Sequence, residues 1–229
     1  MQYRSLVKRM DIPSMGLKQW LLISCGFSCL LVAARVLITG ETSFSFLIWN
    51  LFLAFVPYAI SEWLSTRVQV MENKIALLTV LITWLVFIPN SFYILTDLFH
   101  LYDLNNVPRW FDLLLILSFA WNGLLFGLLS VRKIETIMLA VVGRSFSLLV
   151  VFAVMWLNAF GVYIGRYLRY NTWDIISQPF SLFRELLDIT VHPFRYRMEW
   201  GMIFVYAIFM TVLYVTIKKM SSQFHQTSK

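Results

Sequence analysis

Charge is what this chain has least of. Asp, Glu, Lys and Arg make up 14% of its 229 residues, where a soluble globular domain carries about 25%. Cysteine is nearly absent, with only Cys25 and Cys29 present. Both fall in one apolar run, four residues apart on a helix face, where Cβ atoms sit about 5–6 Å apart instead of the ~3.5–4.5 Å a disulfide needs. A disulfide scaffold is therefore excluded, and no nearby His or third Cys completes a zinc site. Histidine occurs only as His100, His192 and His225, and no HExxH, GxSxG or P-loop pattern is present. His225 falls in the C-terminal tail, so a three-histidine metal site is not expected, and no metal is assigned. The net charge of +7 comes without a soluble basic domain or a recognition motif, so nucleic acid is not an expected partner.

What is abundant is apolar surface: 59% of the residues are hydrophobic and 17% aromatic. The strongest runs are Trp20–Thr39, Phe44–Leu64, Ile75–Leu95, Phe111–Val131, Ser147–Gly165 and Met202–Ile217, each near the ~20 residues that cross a ~30 Å hydrocarbon core. The runs are continuous, without the alternation a barrel requires, so helices must satisfy the backbone. The expected fold is all-α: a polytopic membrane protein with six transmembrane helices, residues 1–229 forming a single integral membrane domain. A basic leader of about 18 residues before an apolar run of about 20 predicts a retained first helix and not a cleaved signal peptide.

Orientation follows from Lys and Arg in the connecting segments. With the N-terminus inside, twelve of the 19 positive residues fall on the inner side and seven on the outer side (Arg35, Arg109, Arg166, Arg169, Arg184, Arg195 and Arg197). Both termini are therefore expected in the cytoplasm, with the protein in a bacterial plasma membrane and membrane lipids as its partners.

With direction assigned, the polar residues of the spans gather in one half. Asn50 lies in the outer half of the second span, and the third ends in FIPNSFYILTDLFHLYD at 87–103. The fourth carries Asp112 and Asn122, and the fifth runs through Asn158 toward Arg166 and Arg169. Intramembrane polar groups normally face a protein interior or a wet cavity, so an outward-facing polar pocket formed by the second to fifth spans is predicted. Pro89 lacks an N–H and predicts a kink that leaves the Leu85 carbonyl without its partner, with Asn90 placed to bond the freed backbone. Asp97, His100 and Asp103 recur every third residue and share a face if the helix continues. A carboxylate and an imidazole at that spacing suit acid/base chemistry, so Asp97 and His100 are the candidate catalytic pair. Asn50, Asn90, Asp112, Asn122, Asn158, Arg166, Arg169 and Asp174 are the candidate substrate-binding residues, with the two arginines suited to a phosphate.

Two pairs of small residues, Gly123 with Gly127 and Gly161 with Gly165, let helix backbones approach closely. They predict tight packing of the fourth and fifth spans against a neighbour and leave homo- or hetero-oligomerisation through those faces open. Ser177-Gln178-Pro179 reads as a helix start, with Phe180, Phe183 and Leu187 on one face, so an interfacial amphipathic helix is expected between helices 5 and 6.

The stretches FIPNSFYILTDLFHL at 87–101, WFDLLLILSFAWNGLLFGLLS at 110–130 and GVYIGRYLRYNTWDII at 161–176 resemble the bacterial multi-pass family named Domain of Unknown Function 1361. The resemblance covers roughly residues 45–217. It implies an integral membrane protein and brings no activity, cofactor or catalytic residue with it. Three classes stay open. One is binding or processing of an outer-leaflet lipid or lipid-linked phosphate substrate; the others are a membrane scaffold or assembly subunit without catalysis, and a small-solute permease.

Overall fold

The computed structural model describes residues 16–102, 107–142, 147–170 and 174–227. These form helices throughout, with no strand among the described residues. In chain order they are α1 Leu17–Thr39, α2 Phe46–Ser65, α3 Val68–Glu72, α4 Lys74–Phe87, α5 Pro89–Tyr93, a 3-10 segment Ile94–Tyr102, α6 Arg109–Val142, α7 Ser147–Arg166, α8 Asp174–Ser177, α9 Pro179–Val191 and α10 Arg197–Thr227. Six stretches are long and apolar enough to cross a membrane: α1, α2, Lys74–Leu101, Arg109–Leu139, Leu149–Arg166 and Arg197–Gln223. Local chemistry sets several boundaries. Gly40, at φ 72°, turns the chain out of α1 while its N–H still bonds Val36. Asn73 opens α4 by accepting from the N–H groups of Ile75 and Ala76.

α6 and α10 outrun the apolar stretches read from sequence. α6 is 34 residues long, or about 50 Å at 1.5 Å per residue, because its polar end has partners. Glu135 accepts from Tyr214 at 2.5 Å, Lys218 at 2.6 Å and Arg132 at 2.8 Å, which ties the end of α6 to α10. Lys133, two residues before Glu135 on α6, is paired with Glu62 of α2, which is also paired with Lys18 of α1. One end of the bundle is thus defined by Lys18, Glu62, Lys133, Glu135 and Lys218, and the other by the polar ends of α1, α2, the third span and α7.

α6 is the hub. Leu115, Ile116, Phe119 and Ala120 are wholly buried, and its apolar residues join those of α1 and α2 in one cluster and those of α4, α5, α7 and α10 in another. Trp84 of α4 donates to Ser130 of α6 at 2.7 Å, and Ser130 donates to the Pro57 carbonyl of α2 at 2.9 Å, so three helices share one buried relay. α7 and α10 pair through stacked Trp156, Phe160 and Trp200. Leu30, Leu37 and Ile75 point away from the bundle, as side chains facing lipid must. α9 is two-sided: Leu182 and Ile189 are buried, while Phe180, Phe183 and Leu187 are exposed. An apolar face turned off the protein on a helix of 13 residues fits an interfacial position and is too short to cross.

A cavity beside the broken third span as the candidate functional site

The third span is built in three pieces. Pro89 cannot donate to a carbonyl one turn back, and α4 ends at Phe87. The Ser91 N–H then turns to Ile88 at 3.1 Å instead of reaching Phe87. That frees the Phe87 carbonyl, which accepts from the Asn90 side chain at 2.9 Å. Asn90 therefore repairs the break at Phe87, two residues beyond the Leu85 carbonyl expected from the proline alone. Ser91 anchors the kink by donating to Ala54 of α2 at 2.8 Å. Beyond α5 the backbone tightens into a 3-10 helix of nine residues, where runs longer than three or four are uncommon. Three residues per turn stack Asp97 and His100 on one line more closely than an α-helix would. Asp103 lies outside the described residues.

Both small-residue pairs grip this broken segment. A methyl group on Gly161 of α7 would lie 2.6 Å from the Pro89 ring, and one on Gly165 would lie 3.1 Å from the Tyr93 ring. On α6, a methyl on Gly123 would meet Ile94 at 2.4 Å and the Ser91 carbonyl at 3.1 Å, and one on Gly127 would meet Ser91 and Phe92 at 2.9–3.0 Å. The four glycines thus close on residues 89–94 of their own chain from two sides.

Between the break, α2 and α7 lies a cavity of about 300 Å³. Its lining includes Asn50, Asn90, Asp97, His100 and Arg166 among the residues singled out above, with Phe46, Trp49, Tyr93 and Tyr170 as aromatic walls and Leu53, Val86, Ile164 and Leu182 as aliphatic ones. Asp97 is buried, and its Oδ2 accepts from Asn50 at 2.9 Å. Arg166 Nη1 lies 3.5 Å from Asp97 Oδ1, and Nη2 donates to the Thr96 carbonyl at 2.7 Å. Nη1 also approaches His100 Nε2 at 3.3 Å and the Tyr93 hydroxyl at 3.5 Å. A guanidinium has only donors, so the His100 nitrogen facing it accepts, which puts the proton of a neutral ring on Nδ1. The cation also lies over the faces of Tyr93 and Phe99, 5.8 and 5.3 Å from their centroids. Asp97 and His100 thus form the polar head of the cavity as acceptors held in place by Arg166, and aliphatic side chains make up much of the remaining lining.

The remaining candidates are placed elsewhere. Asp112 accepts from Arg35 Nε at 2.8 Å, and both side chains are almost wholly buried. Arg35 is therefore a buried residue of α1 and not the loop charge expected from sequence; Phe44 lies under its guanidinium at 4.5 Å. Its signal was present, since charged groups within spans pair with one another by default. Asn122 donates to Ser28 at 3.0 Å and to the Ser118 carbonyl at 2.9 Å, joining α6 to α1. Asn158 is buried beside Met155, just before Gly161 on α7. Arg169 does not join Arg166, because α7 ends at Arg166 and Arg169 takes φ 60°, which turns the chain off the helix axis. Asp174 opens α8 and accepts from Ser177 at 2.9 Å. Tyr93, Thr96 and Phe46 are the site neighbours that sequence reasoning missed. Tyr93, four residues before Asp97, was the one within reach of helical spacing.

An all-α bundle with six membrane-crossing helices and a polar cavity at one end defines a polytopic membrane protein. Within that class, the chain belongs to the family described as Protein of unknown function (DUF1361), whose model matches residues 49–215. That match takes in every cavity-lining residue except Phe46 and leaves out α1 with its Arg35. No curated protein and no solved structure matches the chain.

Proposed function

We propose that this protein binds a membrane amphiphile, with the polar head against Asp97, His100 and Arg166 and the apolar part along Leu53, Val86 and Ile164. The observation carrying this reading is one cavity whose lining joins a charged, hydrogen-bonded head to aliphatic side chains, set in helices long and apolar enough to cross a membrane. Its volume is at the lower bound of small-molecule sites, about 300–1,000 Å³. Asp97 and His100 are the groups that would take or give a proton if the bound lipid is processed. The cavity opens toward the outer leaflet of a bacterial plasma membrane, with both termini cytoplasmic. The opposite end of the bundle carries Lys18, Lys133, Arg132 and Lys218 around Glu62 and Glu135, a net positive end of the kind kept in the cytoplasm. All four glycines of the small-residue pairs contact the third span of the same chain, so they serve to seat the cavity wall.

The test is native mass spectrometry of protein purified from membranes, compared with a Leu53→Trp variant that fills the cavity from its aliphatic lining. Wild-type protein is expected to carry lipid that the variant, with unchanged helicity, does not. Equal lipid content in the two would refute the reading. Incubation with a total lipid extract, with Asp97→Asn and His100→Ala as controls, then reports whether a product forms.

A further inference from the structure

We infer that the head of the cavity takes an uncharged, hydroxyl-bearing group, of sugar or polyol type, with one hydroxyl donating to Asp97 Oδ1. This rests on the amphiphile reading above and adds the chemistry of the head.

The inference starts from an acceptor that is buried and unmet. Asp97 is 1% exposed; Oδ2 accepts from Asn50, whereas Oδ1 receives no hydrogen bond. Arg166 Nη1 lies 3.5 Å from that oxygen as a charge, without hydrogen-bond geometry. Buried polar atoms are normally paired, so an occupant of this cavity meets the carboxylate best by bringing a donor. The arginine is already committed: both terminal nitrogens are engaged by Thr96, His100 and Tyr93, and its faces are covered by two rings. Gripping a phosphate through the remaining N–H groups of Arg166 would bring the anion beside the Asp97 carboxylate. An ammonium head meets the opposite problem, since Arg166 stands beside the same oxygen. A hydroxyl carries neither penalty. Trp49, Phe46 and Tyr93 add flat apolar walls, against which the C–H faces of a ring sugar pack while its hydroxyls reach Asp97 and Asn90.

The experiment is competitive lipid retention by native mass spectrometry in nanodiscs holding equal amounts of glucosyl-diacylglycerol, phosphatidic acid, phosphatidylglycerol and phosphatidylethanolamine with identical acyl chains, with free methyl glucoside as a soluble competitor. Glucosyl-diacylglycerol is expected to be retained at least tenfold over phosphatidic acid, and Asp97→Asn is expected to erase that preference. Trp49→Leu alters a half-exposed wall without touching the buried pair, and is expected to lower glycolipid retention several-fold even if Asp97→Asn does not fold. Preferential retention of phosphatidic acid overturns the head-group inference and leaves the amphiphile site standing. Retention of no lipid overturns both. Equal competition by methyl glucoside keeps the hydroxyl chemistry and removes the lipid from it.

Discussion

Replacing Gly161 by alanine tests the architecture where a helix meets the proline ring at the break. The added methyl would sit 2.6 and 2.7 Å from two carbons of the Pro89 ring, where carbon–carbon contacts rest at about 3.5–4.0 Å. About 1 Å of separation must therefore be created. The proline ring has no alternative rotamer and is fused to the backbone at the break, so α7 or α5 has to shift. Overpacking of this kind costs about 1–3 kcal/mol, against a helical preference of Ala over Gly of about 0.5–1 kcal/mol. Gly161→Ala is thus expected to destabilise by up to about 2.5 kcal/mol, with a central value of about 1 kcal/mol. Gly26 in α1 and Gly201 in α10 have nothing within 4 Å of the same methyl, and there the substitution should stabilise by up to about 1 kcal/mol. Unfolding by sodium dodecyl sulfate in mixed micelles, followed by circular dichroism, measures all three. Because Gly161 and Pro89 both line the cavity, lipid retention should fall in Gly161→Ala and hold in Gly26→Ala. If Gly161→Ala were as stable as Gly26→Ala, the claim that the small-residue pairs seat the broken span would be refuted.

Three further perturbations probe other parts of the fold. Arg35→Met alone should cost about 3–5 kcal/mol, because Asp112 stays buried without its partner, while Arg35→Met combined with Asp112→Leu should recover most of the loss. Strict additivity in that double-mutant cycle would show that the pair is not coupled. Asn50→Ala removes the 2.9 Å donor to Asp97 and should destabilise by about 1.5–3 kcal/mol in the same unfolding assay, with His100→Ala as a comparison that leaves this bond intact. At the corner between α9 and α10, the Tyr196 hydroxyl donates to Asp188 at 2.5 Å, which lowers the carboxyl pKa and raises that of the phenol. Asp188 then contributes stability above its ordinary pKa of about 3.9, lost as pH falls through its depressed folded value. Tyr196 contributes below about 10, lost as pH rises through its raised one. Fluorescence of Trp200, which donates to Ile189 in the same corner, should change at both extremes, and Tyr196→Phe should remove the alkaline change and weaken the acidic one.

The six spans were legible in the sequence because crossing lipid is a constraint on length and polarity that each span meets alone. The extents of α6 and α10 were not, because beyond the apolar runs the two helices are tied by Glu135 with Lys218 and Tyr214, and pairing between distant polar residues leaves no local periodic signal. The same division runs through the candidate site. Asn50, Asn90, Asp97, His100 and Arg166 were identifiable as polar residues in an apolar setting, and the structure sets them around one cavity. Asp112, Asn122 and Asn158 carry the same sequence signal, and α1 accounts for two of them: Arg35 takes Asp112 and Ser28 takes Asn122. A polar residue within a span announces that it has a partner without announcing which, and two polar residues of α1, Arg35 and Ser28, were enough to redirect two assignments.

The glycine pairs carry the argument furthest. In sequence they are a generic licence for close helix approach, equally suited to a neighbour in another chain. In the fold, Gly161 and Gly165 on one helix and Gly123 and Gly127 on another converge on Pro89, Ser91, Phe92, Tyr93 and Ile94. A proline break in lipid exposes backbone groups that only a protein neighbour or a wet cavity can satisfy, and such a break persists only where its surroundings over-determine it. The four missing side chains let α6 and α7 supply those surroundings at backbone distance, and Asn90 and Ser91 supply the hydrogen bonds. The 3-10 segment that presents Asp97 and His100 to the cavity hangs from this clasp, so small residues on two helices set the position of the polar head without touching it.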